Sequence, residues 1–157
     1  MQNQNFTATL LVDQTPEQVY NVINNVQEWW TGEPGVEGNT RQVGDEFTYR
    51  FRDIHYSKQK LLELIPDKKI VWLVTESNLN FIKDKSEWTG TQIKFEIFGG
   101  NGHRKDNKTE VRFTHEGLTP TIECYKDCST AWSSYINSSL KKFITNSKET
   151  ARKPDLA

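Results

Sequence analysis

The chain has 157 residues, enough for one domain with its own core and no need of disulfides or metals. Twenty Lys and Arg against 21 Asp and Glu leave a net charge of −1, which argues against a nucleic-acid binder and against a polybasic membrane-surface protein. No run approaches the ~20 apolar residues that span a bilayer, and Met1 to Asn5 shows neither a basic region nor an apolar run, so a cytoplasmic protein is expected. Hydrophobic residues are few at 34%, but aromatics reach 11%, and large rings can bury the area that missing aliphatics would have covered.

Phe6 to Val12 reads as a first strand. Thr15-Pro16-Glu17-Gln18 is a helix start: Thr15 caps, Pro16 suits the first turn and Gln18 completes a capping box. Val19, Val22, Ile23, Val26 and Trp30 then recur at helical spacing. The stretch from Thr31 to Gly44 is turn-rich and carries little period. From Asp45 the period becomes two, with Phe47, Tyr49 and Phe51 on one face of a strand. Tyr56 to Ile65 and Ile70 to Thr75 read as further strands, and Asn78 to Trp88 as a polar excursion. His55 falls at the turn between two strands and is expected to be exposed.

Thr91 to Ile97 and Thr109 to His115 both alternate cleanly. The Gly-rich, charged segment from Gly99 to Lys108 joins them as a hairpin loop, with His103 exposed in it. After Thr119 and Pro120, the spacing of Tyr125, Cys128, Trp132, Tyr135, Ile136, Leu140, Phe143 and Ile144 predicts a helix of about six turns. The expected fold is α+β: a curved antiparallel sheet of about six strands wrapped on a long C-terminal helix, with short helices after the first strand. Residues 1–147 form a single domain in this reading and 148–157 a frayed tail.

Three pieces carry a family resemblance. They are Val12 to Tyr20 leading to Trp29-Trp30; Gly44-Asp45-Glu46-Phe47 with Leu64 to Val71; and Thr109 to Leu118 followed by a helix holding Trp132. In this order they resemble the START-like superfamily, also called SRPBCC or the birch-pollen-allergen-like helix-grip fold. The closer likeness is to homologues of the C-terminal domain of the heat-shock-protein ATPase activator. The resemblance implies a cavity between sheet and helix, and does not imply one reaction.

Trp29, Trp30, Phe51, Trp72, Trp88, Phe95 and Trp132 are the candidate cavity rings. Each alone reads as ordinary core, whereas the set, taken with the resemblance, reads as a lining. Neighbours on a helix point ~100° apart, so one ring of the Trp29-Trp30 pair is expected in the core and the other half-exposed at a rim. His115 and Cys128 are the candidate polar groups beside them. His115, Cys124 and Cys128 supply three soft atoms, but helical Cys-x3-Cys is not a common zinc spacing and no fourth ligand is evident. No metal or other cofactor is therefore expected. The two thiols read as small hydrophobes.

No catalytic residue is assigned: there is no nucleophile elbow, HExxH or phosphate loop, and carboxylates alternating with apolar residues face solvent. The preferred function is binding of a small hydrophobic or aromatic molecule between the sheet and the C-terminal helix. The alternatives are a cyclase- or hydrolase-like enzyme using His115 with a carboxylate, and a protein-interaction domain presenting Phe81 and Ile82. A chaperone partner, or self-association through the same excursion, stays open.

Overall fold

The computed structural model describes residues 4–99 and 108–146. The hairpin loop from Gly100 to Asn107, with His103, lies outside the described residues, as does the tail from Ser147.

Strand β1 (Phe6–Val12) leads to helix α1 (Pro16–Asn24). The expected capping box is present: Gln18 N–H donates to the Thr15 hydroxyl at 3.1 Å, and Thr15 N–H donates to the Gln18 side chain at 2.9 Å. A single turn, α2 (Val26–Trp29), follows, and helical geometry stops at Trp30, with φ −94° and ψ 74°. That break corrects the rim expectation for the Trp29-Trp30 pair. Freed from the helical 100° offset, both rings turn inward and stack, 6.4 Å apart, and both are buried.

A strand absent from the sequence reading comes next, β2 (Pro34–Gly38). Its proline and two glycines suppress the usual strand signal, yet an edge strand needs ladder bonds on one side only. At Gly38 (φ +126°) a Cβ would lie 2.6 Å from the Glu46 carbonyl oxygen, so only glycine fits. Then follow β3 (Glu46–Phe51), β4 (His55–Ile65), β5 (Lys69–Leu79), β6 (Gln92–Phe98) and β7 (Thr109–Glu116). All seven strands pair antiparallel in the order β1-β7-β6-β5-β4-β3-β2. The β4–β5 ladder shifts register twice, between Lys58 and Gln59 and between Leu61 and Glu63. Such irregularities bend strands and raise local twist, which suits a sheet that must curve around a helix.

Helix α3 (Tyr125–Ser134) starts a few residues past Pro120, passes through a π-helical stretch (Tyr135–Leu140) and continues to residue 146. Cys128, Trp132, Ile136, Leu140 and Ile144 recur every four residues and form its buried face. They pack on the inner face of the sheet, where Phe47, Trp72, Phe95 and Phe113 are fully buried. Ser139, in the π-helical stretch, donates to the Trp29 carbonyl at 2.6 Å and ties the helix to α2. Among the described residues no helix is long and apolar enough to cross a membrane.

Candidate functional site

Sheet and helix meet tightly along most of their length and part at one end. There they leave a cleft of about 410 Å³, within the ~300–1,000 Å³ range of small-molecule sites. Three segments build it. The β3–β4 turn brings Phe51, Ile54 and His55; the 80–90 excursion brings Phe81 and Trp88; the first turns of α3 bring Asp127, Cys128, Ala131 and Trp132. Trp30, Tyr49 and Tyr135 complete the lining. The floor is aromatic and layered, with Trp30 stacked on Tyr49 at 4.1 Å and 4°, and Trp88 on Trp132 at 5.8 Å and 10°. Ile54 and Phe81 stand exposed at the mouth, whereas Ile82 is buried; the apolar surface expected at Phe81 and Ile82 is therefore reduced to Phe81.

Two carboxylates fasten the excursion to the helix. Glu87 accepts from the N–H groups of Glu123 at 2.7 Å and Cys124 at 2.9 Å, capping the approach to α3. Glu123 accepts in return from the N–H groups of Lys83 at 3.1 Å and Asp84 at 3.3 Å. Each of the two carboxylates thus satisfies backbone donors of the other's segment. Glu87→Ala should lower stability by about 1–2 kcal/mol, as loss of a helix cap does, and Glu87→Gln by less, because an amide oxygen still accepts. Urea denaturation of the three proteins checks this; equal stability of all three would remove the fastening role.

His115 is fully buried, and both its ring nitrogens are engaged. The Trp132 indole N–H donates to Nδ1 at 3.0 Å. Nε2 therefore carries the proton and donates to the Thr91 hydroxyl at 2.8 Å, which donates to the Trp88 carbonyl at 2.6 Å. Burial, and secondarily the nearby His55, push its pKa down to about 3, so it is neutral.

His55 corrects an expectation. It begins β4 rather than lying exposed in a turn, and it lines the cleft with its ring edge-on to Trp88 at 4.6 Å and Tyr49 at 5.1 Å. Alternation along β4 puts Ser57 and Gln59 on the same inner face. Gln59 Nε2 donates to Ser57 Oγ at 2.6 Å, and Ser57 Oγ lies 3.1 Å from His55 Nε2. Burial pushes the His55 pKa down to about 3. Trp88 is thus held edge-on between two neutral histidines, 4.7 Å from His115 on its other side.

The remaining polar groups are two tyrosines, one carboxylate and the thiols. Tyr49 and Tyr135 hydroxyls lie 2.8 Å apart, and each reaches the Thr31 carbonyl, at 2.9 and 2.8 Å. Two protons serve three contacts, so one is always unfilled. Burial and the Tyr135 contact raise the Tyr49 pKa above the usual phenol range. A hydrogen bond with Cys128, and then burial, push the Cys124 thiol upward as well. The two cysteines are free, and only Cys128 reaches the cleft. Among the described residues no three His, Cys, Asp or Glu side chains cluster closely enough to hold a metal ion.

Of the candidate residues, Trp30, Phe51, Trp88, Cys128 and Trp132 line the cleft. Trp29, Trp72, Phe95 and His115 lie behind it in the core, all fully buried. Tyr49, Ile54, His55, Asp127, Ala131 and Tyr135 line it without having been singled out. The Phe47-Tyr49-Phe51 alternation carried a signal for Tyr49. Tyr135 lay one turn beyond Trp132 on the helix period. His55 and Asp127 carried none.

No family model matches the chain, and no curated protein does. Solved structures do. The Aha1 dimer from Colwellia psychrerythraea, determined in solution, is 26% identical over 90% of this chain and 96% of that one, with a TM-score of 0.68. A Mesorhizobium loti protein matches at 14% identity over 90% of this chain and 96% of that one, with a TM-score of 0.68. CalU16 from Micromonospora echinospora matches at 10% identity over 94% and 80%, with a TM-score of 0.61. A seven-stranded antiparallel sheet gripping a long C-terminal helix, with these counterparts, gives the chain an Aha1-domain/SRPBCC fold.

Proposed function

We propose that this protein, set in the cytoplasm, binds a small, predominantly apolar molecule in the aromatic cleft between the β3–β4 end of the sheet and α3. The observation that carries this reading is the cleft itself, about 410 Å³ floored by Trp30, Tyr49, Trp88 and Trp132. Hydrophobic ligand binding is also typical of this fold. Burial of apolar ligand surface contributes ~25 cal/mol per Å² before association costs. Acid–base catalysis by His115 is the weaker reading, because both ring nitrogens already have protein partners and the ring does not line the cleft.

Ala131 offers a clean test. It is exposed on α3 and borders the cleft, so Ala131→Trp obstructs the space without disturbing the core. The neutral fluorophore N-phenyl-1-naphthylamine should bind the wild-type protein one to one, and its affinity should drop at least about tenfold in Ala131→Trp, the loss of ~1.4 kcal/mol of contact. Equal binding by both proteins, or by neither, would overturn the cleft reading.

A further inference from the structure

The charges around the cleft restrict what it can hold. No lysine or arginine is among its lining residues, and the one charged side chain is Asp127, at the mouth on the first turn of α3. Two of the lining groups that could carry added charge, His55, by burial, and Tyr49, a phenol, are uncharged near neutral pH. The other walls are ring faces and edges, and an aromatic face is the negative end of a quadrupole. The guanidinium of Arg52 lies 5.3 Å over the Phe51 ring at the same turn, and Glu33 neutralises it through contacts of 2.8 and 3.2 Å.

An anion placed here would meet π faces and a carboxylate and would find no cation among the lining residues. A carboxylate-headed lipid is thereby disfavoured. A cation would find the reverse. Ring walls of Trp, Tyr and Phe closing around an ammonium group, with a carboxylate at the edge, form the arrangement that recognises quaternary and tertiary amines. Resting on the cleft reading above, we infer that the ligand class is small organic monocations: an apolar body seated against Trp30, Trp88 and Trp132, with an ammonium group turned toward Asp127. Neutral molecules of the same shape bind more weakly, and anions weakest.

A matched set of naphthalene probes tests this by competition against N-phenyl-1-naphthylamine. The set is (2-naphthylmethyl)trimethylammonium, its uncharged isostere 2-neopentylnaphthalene, and 2-naphthylacetate. The cation should bind about tenfold more tightly than the anion, from cation–π and Coulomb effects of opposite sign. Asp127→Asn should weaken the cation about three- to fivefold, in line with a partly exposed ion pair, and leave the neutral isostere unchanged. Binding of the neutral probes without preference for the cation would overturn the inference and leave the cleft reading standing. An equal effect of Asp127→Asn on all three would also overturn it, since that indicates a general change at the helix end. Failure of every probe to bind would remove both readings together.

Discussion

Trp132→Ala should destabilise the fold by about 3–5 kcal/mol, the range for truncating a buried tryptophan. The ring is the meeting point of sheet, helix and cleft. Its centroid lies 5.0 Å from Trp30, 4.7 Å from Phe113 and 5.8 Å from Trp88. Truncation leaves a void among rigid rings that cannot easily close, and it also removes the donor to His115 Nδ1. Trp132→Phe separates the two losses. It keeps a six-membered ring but loses the N–H and the rest of the five-membered ring, so it should cost about 1–3 kcal/mol, the penalty of an unsatisfied buried acceptor together with the smaller volume. Denaturant titration of the three proteins reads both. The contrast with position 131 is instructive: one residue earlier on the helix, even alanine to tryptophan is expected to be tolerated, because that face meets solvent and the cleft. A Trp132→Ala protein within about 1 kcal/mol of wild type would contradict the packing described, given what such truncations cost elsewhere.

Acid should unfold the protein well before its carboxylates are all protonated. His55 and His115 have folded-state pKa values near 3 because burial penalises the imidazolium, against ~6.5 in an unfolded chain. Between those values the unfolded state binds more protons than the folded one, so stability rises with pH. The contribution of the neutral rings is thus complete above about pH 6.5 and is lost progressively as pH falls toward 3. His115, fully buried, contributes a slope of up to ~1.4 kcal/mol per pH unit in that window, and the half-buried His55 a smaller one. Urea midpoints measured from pH 7.5 to 4.5 should therefore fall steeply below about pH 6.5. His55→Gln, which keeps a polar group near Ser57, should reduce that slope by less than half, since the more deeply buried His115 still titrates. A midpoint flat from pH 6.5 to 4.5 would show that at least one of these rings stays open to water.

What the sequence made legible was the part dictated by local periodicity. The alternations at Thr91–Ile97 and Thr109–His115 gave β6 and β7 because one side of each strand faces the core and the other faces water. The capping box at Thr15 and Gln18 gave the start of α1 because its bonds span three residues. β2 escaped because Pro34, Gly35 and Gly38 remove the very features that identify strands, while pairing with β3 supplies the order instead. The aromatic residues indicated a ring-rich interior, but nothing local distinguished Trp72, which fills the core, from Trp88, which faces the cleft. That division depends on where the helix diverges from the sheet. His55 was read by its neighbours, Arg52-Asp53-Ile54, as part of a turn. The register that sets it opposite Phe51 and Leu79 is a tertiary outcome. The Glu87 and Glu123 contacts connect residues 36 to 40 positions apart, beyond any pattern a single chain displays.

The tryptophans also make the molecule report on itself in an unusual way. Trp29, Trp30 and Trp72 form one group with centroids 5.9–6.4 Å apart. Trp132 lies 5.0 Å from Trp30 and 5.8 Å from Trp88, so all five indoles join one continuous chain. At such separations an excitation does not stay on the ring that absorbed it. It passes among the indoles and is emitted, or quenched, wherever the lowest-energy or fastest-decaying ring happens to be. Optically the five behave as a single chromophore with one end in the cleft. A molecule touching only Trp88 and Trp132 can then dim light absorbed at Trp29, which no ligand in the cleft reaches.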